Sequence, residues 1–246
     1  MRRCGARFAA AIGLVVAIAG LAGPADARII GTDFEVILGS NTAAALEQRY
    51  GVYRDEAAEK RLEKLGKEMV AVSGRTGLNY RFGILNTKEI NALAVPGGWV
   101  YATRGLMTEK LSDDELAFVM GHEVAHIAKR HGVRQLEQGI GLSLAFGLIL
   151  DRSATTEALV SDLLQVLLVS GYSRDHEREA DGMAVRYLLK TGHSPRGGVT
   201  FLKRLESLDK TKPSELSRWF ATHPPTNERI RVLEEKIAAA EKHTTQ

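Results

Sequence analysis

The sequence predicts an α+β domain that is mostly helical and carries a small β-sheet. Helical patterns of apolar residues occupy most of the chain, whereas only two short runs have the character of strands. Once an amino-terminal leader is set aside, about 219 residues remain, which is enough to bury a core in one domain. We therefore expect a single domain over residues 28–246.

Residues 1–27 have the character of an export signal. Three arginines within the first seven residues precede an apolar run from Phe8 to Leu21, and small residues at 25–27 offer a cleavage site. The apolar run has about 14 residues, fewer than the roughly 20 that span a bilayer. The sequence predicts a periplasmic or otherwise exported protein, with an uncleaved membrane anchor as the alternative.

Charge and cysteine content narrow the classes of partner. The whole chain carries a net charge of +3, and the leader contributes three Arg and one Asp, so the remainder is two units less positive. No basic block with interleaved aromatic residues is visible, which argues against a nucleic-acid partner. The one cysteine, Cys4, lies in the leader, so the exported chain must derive its stability from a core and not from disulfides.

The amino-terminal half predicts a helix followed by two strands. Between Asp55 and Val72 the apolar residues fall on one helical stripe. Residues 80–85 alternate in polarity, and a β-rich run at 99–103 follows the Pro-Gly-Gly turn at 96–98, so both runs are predicted strands. Together they indicate a small sheet packed on helices.

The remainder of the chain predicts helices. Ser112 and Glu115 form a capping-box pattern, so a helix should begin there and continue through His131. Two apolar segments, 139–150 and 158–172, are too short to span a membrane and predict buried or cleft-covering helices. Further helical patterns occupy residues 176–189, 198–208 and, after a Pro-led start, the segment 222–240 with Ile230, Leu233 and Ile237 on one stripe.

The motif helix carries a candidate metal site. His122 and His126 are four residues apart and share a helix face, so both imidazoles can be directed at one point. Neutral histidine nitrogens suit zinc, and Glu123 can reach a metal-bound water as a general base without being a ligand. This is the HExxH pattern of helical metalloproteases. The alternative is a pair of surface histidines on an ordinary helix.

Two histidines leave a catalytic zinc site short of one protein ligand. The stretch "SRDHEREAD", residues 173–181, offers Glu177, Glu179 and Asp181. Glu177 and Asp181 are four apart and can point the same way on a helix, whereas Glu179 points elsewhere. We interpret Glu177 as the third ligand of one zinc ion per chain, and Asp181 as the group that fixes one histidine tautomer. The alternative for this stretch is a solvated charged helix.

Five ordered segments resemble one known family. "HEVAH" and "SRDHEREAD" are joined by the earlier "NALAVPGGWVYATRGLM" and the later "TGHSPRGGV" and "THPPTNERI". In order and local wording they resemble the HtpX-like and CAAX-prenyl-protease-like zinc metallopeptidases over roughly residues 45–240, with the soluble, exported BepA-type proteases as the nearest match. The resemblance implies a zincin-type, gluzincin fold in which the first glutamate of an ExxxD pattern, here Glu177, is the third ligand.

The resemblance also implies roles near the carboxyl terminus. In relatives a histidine in the "THPP" motif, here His223, approaches the metal, either stabilising the transition state or closing the site as an extra ligand. Arg229 could bind substrate or stabilise the oxyanion, although an arginine on a terminal helix is often structural. We expect no metal role for the other histidines, and His131 is expected to serve as a dipole-favoured cap at the end of the motif helix.

The segment "NALAVPGGWVYATRG", residues 91–105, suggests how a polypeptide substrate is held beside the metal site. If it forms a sheet edge beside the cleft, an extended polypeptide can add to it as another strand, which favours unfolded substrates. The alternative is an ordinary covered edge strand. The residues predicted to contact substrate are Asn91, Ala92, Pro96, Gly97 and Gly98.

The sequence thus predicts a zinc endopeptidase that hydrolyses unfolded or misfolded envelope proteins. We expect no counterpart of the membrane spans of the HtpX and prenyl-protease branches, which argues against prenylated substrates, and none of the BepA repeat domain. Peripheral contact with a membrane or with membrane-protein assembly machinery is a further expectation. The alternative is a latent, chaperone-like zinc-binding assembly factor, because the two apolar segments could cover the cleft.

Overall fold

The computed structural model describes residues 30–138, 152–223 and 226–244. The predicted leader and the apolar segment 139–150 therefore lie outside the described residues. Residues Thr32–Gln246 form one compact unit. Within the part of the chain that the structure describes, no helix is both long enough and apolar enough to cross a membrane.

Helices form most of the structure. In chain order they are α1 Thr32–Tyr50, α2 Glu56–Ala71, α3 Arg104–Thr108, α4 Asp113–Ala128, α5 Arg152–Gln165, α6 Arg174–Thr191, α7 Arg196–Thr211, α8 Pro213–Thr222 and α9 Thr226–Thr244. A π-helix, Val166–Ser170, continues α5, and residues 131–138 are also helical.

A three-stranded sheet packs beside the helices. It consists of β1 Arg81–Leu85, β2 Ala92–Val95 and β3 Trp99–Thr103, in the order β1-β3-β2. The central strand β3 runs parallel to β1 and antiparallel to β2. Strand β2 is therefore an edge strand, and it lies against α4 and the π-helix. The predicted α+β class is confirmed.

The core is built around α4. This helix packs most extensively on α6 and also contacts α2, α7 and β2. Its neighbours supply aliphatic residues from every side, among them Leu65 of α2 and Leu202 of α7. Burial of α4 on all sides explains why its sequence lacks a polar face. Every residue from Glu115 to Ile127 is buried, so the polar side chains in this part of α4 are removed from water.

The predicted elements agree with the structure where a local signal marks them. Asp55 caps α2 by accepting the N–H of Ala58, and the second apolar segment becomes the end of α5 and the π-helix. Helices α1 and α8 and strand β2 had not been predicted as separate elements. In α1 no apolar stripe stands out, because its buried residues include Glu35, Gly39 and Thr42.

Candidate active site

Helix α4 is fixed in place at its amino-terminal end. Ser112 Oγ accepts the N–H of Glu115 at 3.2 Å, and Glu115 Oε2 accepts the N–H of Ser112 at 2.8 Å, so the predicted capping box is present. Arg204 of α7 adds two hydrogen bonds to the Glu115 carboxylate, of 2.9 and 3.1 Å. The helix therefore begins at a defined residue, and His122 and His126 follow on one face.

Close packing brings α6 to this face. A methyl group added at Gly121 would lie 3.4 Å from Cα of Ala184 and 3.3 Å from Sδ of Met69. Helices α4 and α6 therefore pack at close range directly beside His122. Helix α6, capped by Ser173 Oγ on the N–H of His176, then presents Glu177 and Asp181 toward α4.

Three predicted ligands and His223 converge in the interior. His122 Nε2 lies 3.0 Å from His126 Nε2 and 3.4 Å from Glu177 Oε2. Glu177 Oε1 lies 3.2 Å from His126 Nε2, and Glu177 Oε2 lies 3.1 Å from His223 Nδ1. All four residues are buried, and each offers one donor atom within 4.8 Å of the others.

The donor set fits a cation. Asp181 Oδ1 lies 3.0 Å from His122 Nδ1, and since a carboxylate accepts only, the Nδ1 carries a proton. The neutral ring then turns the Nε2 lone pair toward the Glu177 carboxylate, an arrangement that repels unless a cation or proton lies between them. Donor atoms bound to tetrahedral zinc lie about 3.3–3.4 Å apart, close to the separations found here.

The titration behaviour agrees with this reading. Burial alone would lower the pKa of His122, but the carboxylates of Glu177 and Asp181 outweigh burial and raise it to about 10. Burial likewise opposes ionisation of Glu177, yet the charges of His223, His122 and Arg229 hold its pKa well below the usual range. Without a metal, a proton on His122 supplies the positive charge that the carboxylates require.

Glu123 stands beside the cluster with a free carboxylate. It is fully buried, and neither of its oxygens has a hydrogen-bond partner among the described residues. The nearest ion-pair contact is His223 Nε2, 3.9 Å from Glu123 Oε1. Burial raises the pKa of Glu123, against the lowering effect of His223 and His122. A carboxylate in this state can accept a proton from a group placed in the adjoining cavity.

Arg229 lies behind the ligands. Its Nε and Nη2 each donate to the Asp181 carboxylate at 2.8 Å. Its Nη1 lies 3.1 Å from Glu177 Oε2 without the alignment of a hydrogen bond, so that contact is an ion pair only. In this arrangement Arg229 holds Asp181 and Glu177 in place, and its predicted role toward substrate or oxyanion stays a prediction.

A segment that we name the strap, residues Val166–Tyr172, covers the site. The Tyr172 ring stacks on His126 with 4.0 Å between ring centroids, and its hydroxyl donates to the Ala94 carbonyl of β2 at 3.1 Å. Strap residues, β2, Glu123 and His223 enclose a cavity in which only about 10 Å³ is open to water-sized molecules. That space is on the order of one water, too small for a peptide.

The residues predicted to contact substrate lie in two places. Ala92 lines the cavity together with Glu123, and the adjacent Asn91 is buried with an amide nitrogen that lacks a partner among the described residues. The turn Pro96–Gly98 is instead packed against α1, where the N–H of Gly97 donates to Glu35 at 3.2 Å. Contact between any of these residues and substrate remains a prediction.

Two groups near the site had not been predicted. Tyr172 carries no local signal, because its position depends on the strap folding back over α4. His131, expected to be a dipole-favoured cation, is fully buried, and burial together with the neighbouring His176 lowers its pKa to about 4. That expectation is wrong because α4 ends at Ala128 and the chain then turns His131 inward.

A donor set of this kind beside an unpaired buried carboxylate defines the class of metal-dependent hydrolases that use a helical HExxH motif. A family model described as Peptidase family M48 matches residues 56–237. The chain therefore belongs to peptidase family M48, and it is a metalloendopeptidase.

Individual relatives agree with this family. Metalloprotease YcaL of Escherichia coli (strain K12) is 30% identical over 203 residues, which cover 81% of this chain and 74% of that protein. A putative beta-barrel assembly-enhancing protease of Vibrio cholerae is 30% identical over 210 residues, or 80% of this chain and 43% of the relative. Mitochondrial metalloendopeptidase OMA1 of Schizosaccharomyces pombe is 28% identical over 179 residues, covering 71% and 52%. The resemblance to BepA-type proteases is confirmed, although the chain spans only about half of the last two relatives.

Proposed function

We propose that this protein is a zinc endopeptidase that, after export, cleaves unfolded or extended segments of envelope proteins. The observation that carries the proposal is the buried convergence of His122, His126 and Glu177 beside the unpaired carboxylate of Glu123. These three ligands would hold one zinc ion per chain, since two imidazoles and one carboxylate form a common catalytic zinc set.

The chain's own groups can carry out the proton transfers of peptide hydrolysis. Zinc bound at this position supplies Lewis acidity, which polarises a carbonyl and lowers the pKa of water. Glu123 accepts the proton of the attacking water and passes it to the leaving nitrogen, and its raised pKa brings it nearer to the operating pH. His223, whose Nε2 faces Glu123, or Arg229 would donate to the developing oxyanion.

The sheet edge offers a place for the substrate. Strand β2 is an edge strand, and Ala92 and Ala94 line the same cavity as Glu123. A polypeptide that paired with this edge would run past Glu123 in an extended conformation. Such pairing reads backbone groups more than side chains, which supports a preference for unfolded or mobile segments.

The closed cleft supports the second candidate, a latent and chaperone-like zinc-binding protein. With His223 in the donor set, four protein ligands would surround the metal, the arrangement found in structural zinc sites and not in catalytic ones. The strap also fills the space that a peptide would need. Both features describe a resting state that must open before cleavage.

Location and partners rest on separate observations. The leader at residues 1–27 supports export, with an uncleaved anchor as the alternative. The Vibrio cholerae relative is named for beta-barrel assembly, which supports contact with membrane-protein assembly machinery or the membrane surface here too. Substrates would then be envelope proteins that fail to assemble.

Metal content and cleavage of an unfolded protein test the proposal together. We expect about one zinc per purified chain, cleavage of a casein-like substrate, loss of cleavage on chelation and its return with zinc but not with magnesium. If the protein carries zinc and binds the unfolded protein without cutting it, the result favours the latent, chaperone-like candidate over the endopeptidase. A chain with no zinc at these residues would reject both candidates.

A further inference from the structure

The outer nitrogen of His126 meets an unexpected partner. Its Nε2 faces the cluster, 3.0 Å from His122 Nε2 and 3.2 Å from Glu177 Oε1, so Nδ1 points away from the cluster. That Nδ1 lies 2.9 Å from Nδ1 of His131. Whereas the outer nitrogen of His122 meets a carboxylate, the outer nitrogen of His126 meets a second imidazole.

A carboxylate follows at the next step. His131 Nε2 lies 3.2 Å from Glu179 Oε2, and Glu179 Oε1 lies 2.6 Å from Lys129 Nζ. Glu179 is the glutamate of the "SRDHEREAD" stretch that the metal site itself does not use. Its side chain is about one-third exposed, while His131 is fully buried. A hydrogen-bonded series of three side chains therefore leads from the metal site to the solvent edge: His126, His131 and Glu179.

The positions of the protons in this hydrogen-bonded series follow from which atoms can donate and which can only accept. The Glu179 carboxylate accepts only, so Nε2 of His131 carries the proton that it shares with Glu179. In a neutral ring the other nitrogen, Nδ1, is then an acceptor, and Nδ1 of His126 must be the donor. A proton on Nδ1 of His126 leaves its Nε2 with the lone pair that a metal ligand needs.

We propose that His131 and Glu179 are positioning residues that hold His126 in the tautomer that offers Nε2 to the metal. The proposal rests on the metal site described above. It gives the two histidines of the motif different supports: Asp181 acts directly on His122, and Glu179 acts on His126 through His131. Ligating histidines commonly donate their second N–H to such an outer partner, and loss of the partner typically costs 10–100-fold in metal affinity.

The backbone is built to place His131. Helix α4 ends at Ala128, and Arg130 adopts a left-handed conformation with φ 59°, which non-glycine residues rarely adopt. Arg130 Nε donates to the buried carboxylate of Glu35 at 2.9 Å, which holds this turn in place. Stacking on His176, with 4.2 Å between centroids, fixes the plane of the His131 ring. An irregular turn held by a buried ion pair points to a positional requirement at residue 131.

The chain contains a matched control pair. His193 Nε2 lies 2.9 Å from Glu68 Oε2, a similar histidine–carboxylate contact, and its Nδ1 contacts Asp114. This pair touches none of the four clustered residues. Substitutions in this pair remove the same kinds of side chain, one histidine or one carboxylate, as substitutions of His131 and Glu179. They leave the surroundings of His126 unchanged.

The experiment measures zinc and cobalt binding to the full exported chain. In His131→Leu we expect zinc affinity to fall about 10–100-fold and the visible spectrum of bound Co²⁺ to change. In His131→Asn, whose side-chain oxygen can accept in place of Nδ1, we expect most of the affinity and the spectrum to return. Glu179→Ala should weaken zinc several-fold, and His193→Leu and Glu68→Ala should match wild type.

The outcomes separate this inference from the proposed function. If wild type binds zinc while His131→Leu and Glu179→Ala bind it equally well with unaltered cobalt spectra, the positioning role is overturned and the endopeptidase stands. If wild type binds no zinc, both the positioning role and the proposed zinc endopeptidase function are rejected. Should His131→Leu fail to fold, Glu179→Ala decides alone, and an unchanged zinc affinity in that variant overturns the inference.

Discussion

The two walls of the cleft are built on different principles. The wall formed by α4 and α6 is held by charge: Asp181 bonds to both His122 and Arg229, and Glu177 contacts three histidines and Arg229. The strap on the other side is held through backbone carbonyls. Tyr172 donates to Ala94, and the side chains of Gln135 and Arg218 donate to strap carbonyls.

The difference indicates which wall is fixed and which can move. Removal of one partner from a buried charged pair costs about 3–5 kcal/mol, whereas a hydrogen bond contributes a net of about 0.5–1.5 kcal/mol, somewhat more with a charged donor. A polypeptide that pairs with β2 could replace the hydrogen bond that Tyr172 makes to the Ala94 carbonyl. It would also have to cover the apolar side chains of Val166, Leu167 and Leu168, which are buried in the closed state. Unfolded clients with apolar side chains meet both requirements.

The largest expected effect is at Glu123 on the fixed wall. Glu123→Gln keeps the shape of the side chain but cannot accept a proton, so kcat should fall about 10²–10⁴-fold. Zinc content should equal that of wild type, since Glu123 is outside the ligand cluster. Steady-state cleavage of an unfolded protein, with metal analysis of the same sample, measures both. Undiminished turnover in this variant would remove Glu123 from the mechanism.

Loss of a ligand comes next. Glu177→Gln should weaken zinc binding by more than the roughly 10–100-fold expected for loss of an outer partner, and Asp181→Ala, which removes the acceptor for His122, should fall within that range. Competition against a chelator of known affinity measures both constants. If Asp181→Ala binds zinc as wild type does, Asp181 does not support His122, and the charged wall is not held in the way described.

The charge of the fixed wall predicts a pH dependence. In the metal-free protein the pKa of His122 is raised to about 10, so the residue is protonated at neutral pH and must lose that proton to bind a metal. Apparent metal affinity should therefore rise about tenfold per pH unit as pH increases toward that pKa. Proton release on metal addition, followed in weakly buffered solution, should be close to one per chain. If no proton is released on metal addition near neutral pH, His122 is not protonated in the metal-free protein.

A smaller effect is expected at the start of α4. Glu115→Gln weakens the capping box and the ion pair with Arg204, and should lower the free energy of unfolding by about 1–2 kcal/mol at neutral pH. Burial opposes ionisation of Glu115, but Arg204 and the N–H of Ser112 outweigh burial and lower its pKa. The contribution is therefore present above the usual carboxyl pKa and disappears as pH falls through the lowered value. Urea unfolding at pH 7 and at acid pH measures it.

The smallest expected effect concerns the strap, which is the movable wall of the cleft. Tyr172→Phe keeps the ring on His126 but removes the hydrogen bond to Ala94, so opening should become easier and cleavage should rise about two- to tenfold. Tyr187→Phe is the matched control, because its buried hydroxyl donates to the Ser73 carbonyl away from the cleft. Equal rates for Tyr172→Phe and wild type would mean that this bond does not hold the strap closed.

The sequence predicted what local signals encode. The cap of α4 and the strands at residues 80–85 and 99–103 follow from local sequence patterns, and i, i+4 spacing places His122 with His126 and Glu177 with Asp181. The strap and His131 could not be predicted in this way. The strap is placed by contacts with α8 and β2, and His131 by a left-handed residue that Glu35 stabilises from 95 positions away. Both depend on partners distant along the chain.

Gly171 gives the resting state a genetic consequence. It has φ 66°, and a methyl group there would lie 2.2 Å from the carbonyl oxygen of Thr222, the residue that precedes His223. No other amino acid can occupy this point while the strap is closed. Gly171→Ala is therefore expected to hold the strap away from α8, and so to give a permanently open protein that cleaves faster than wild type, an increase that disappears when Glu123 is also changed to glutamine.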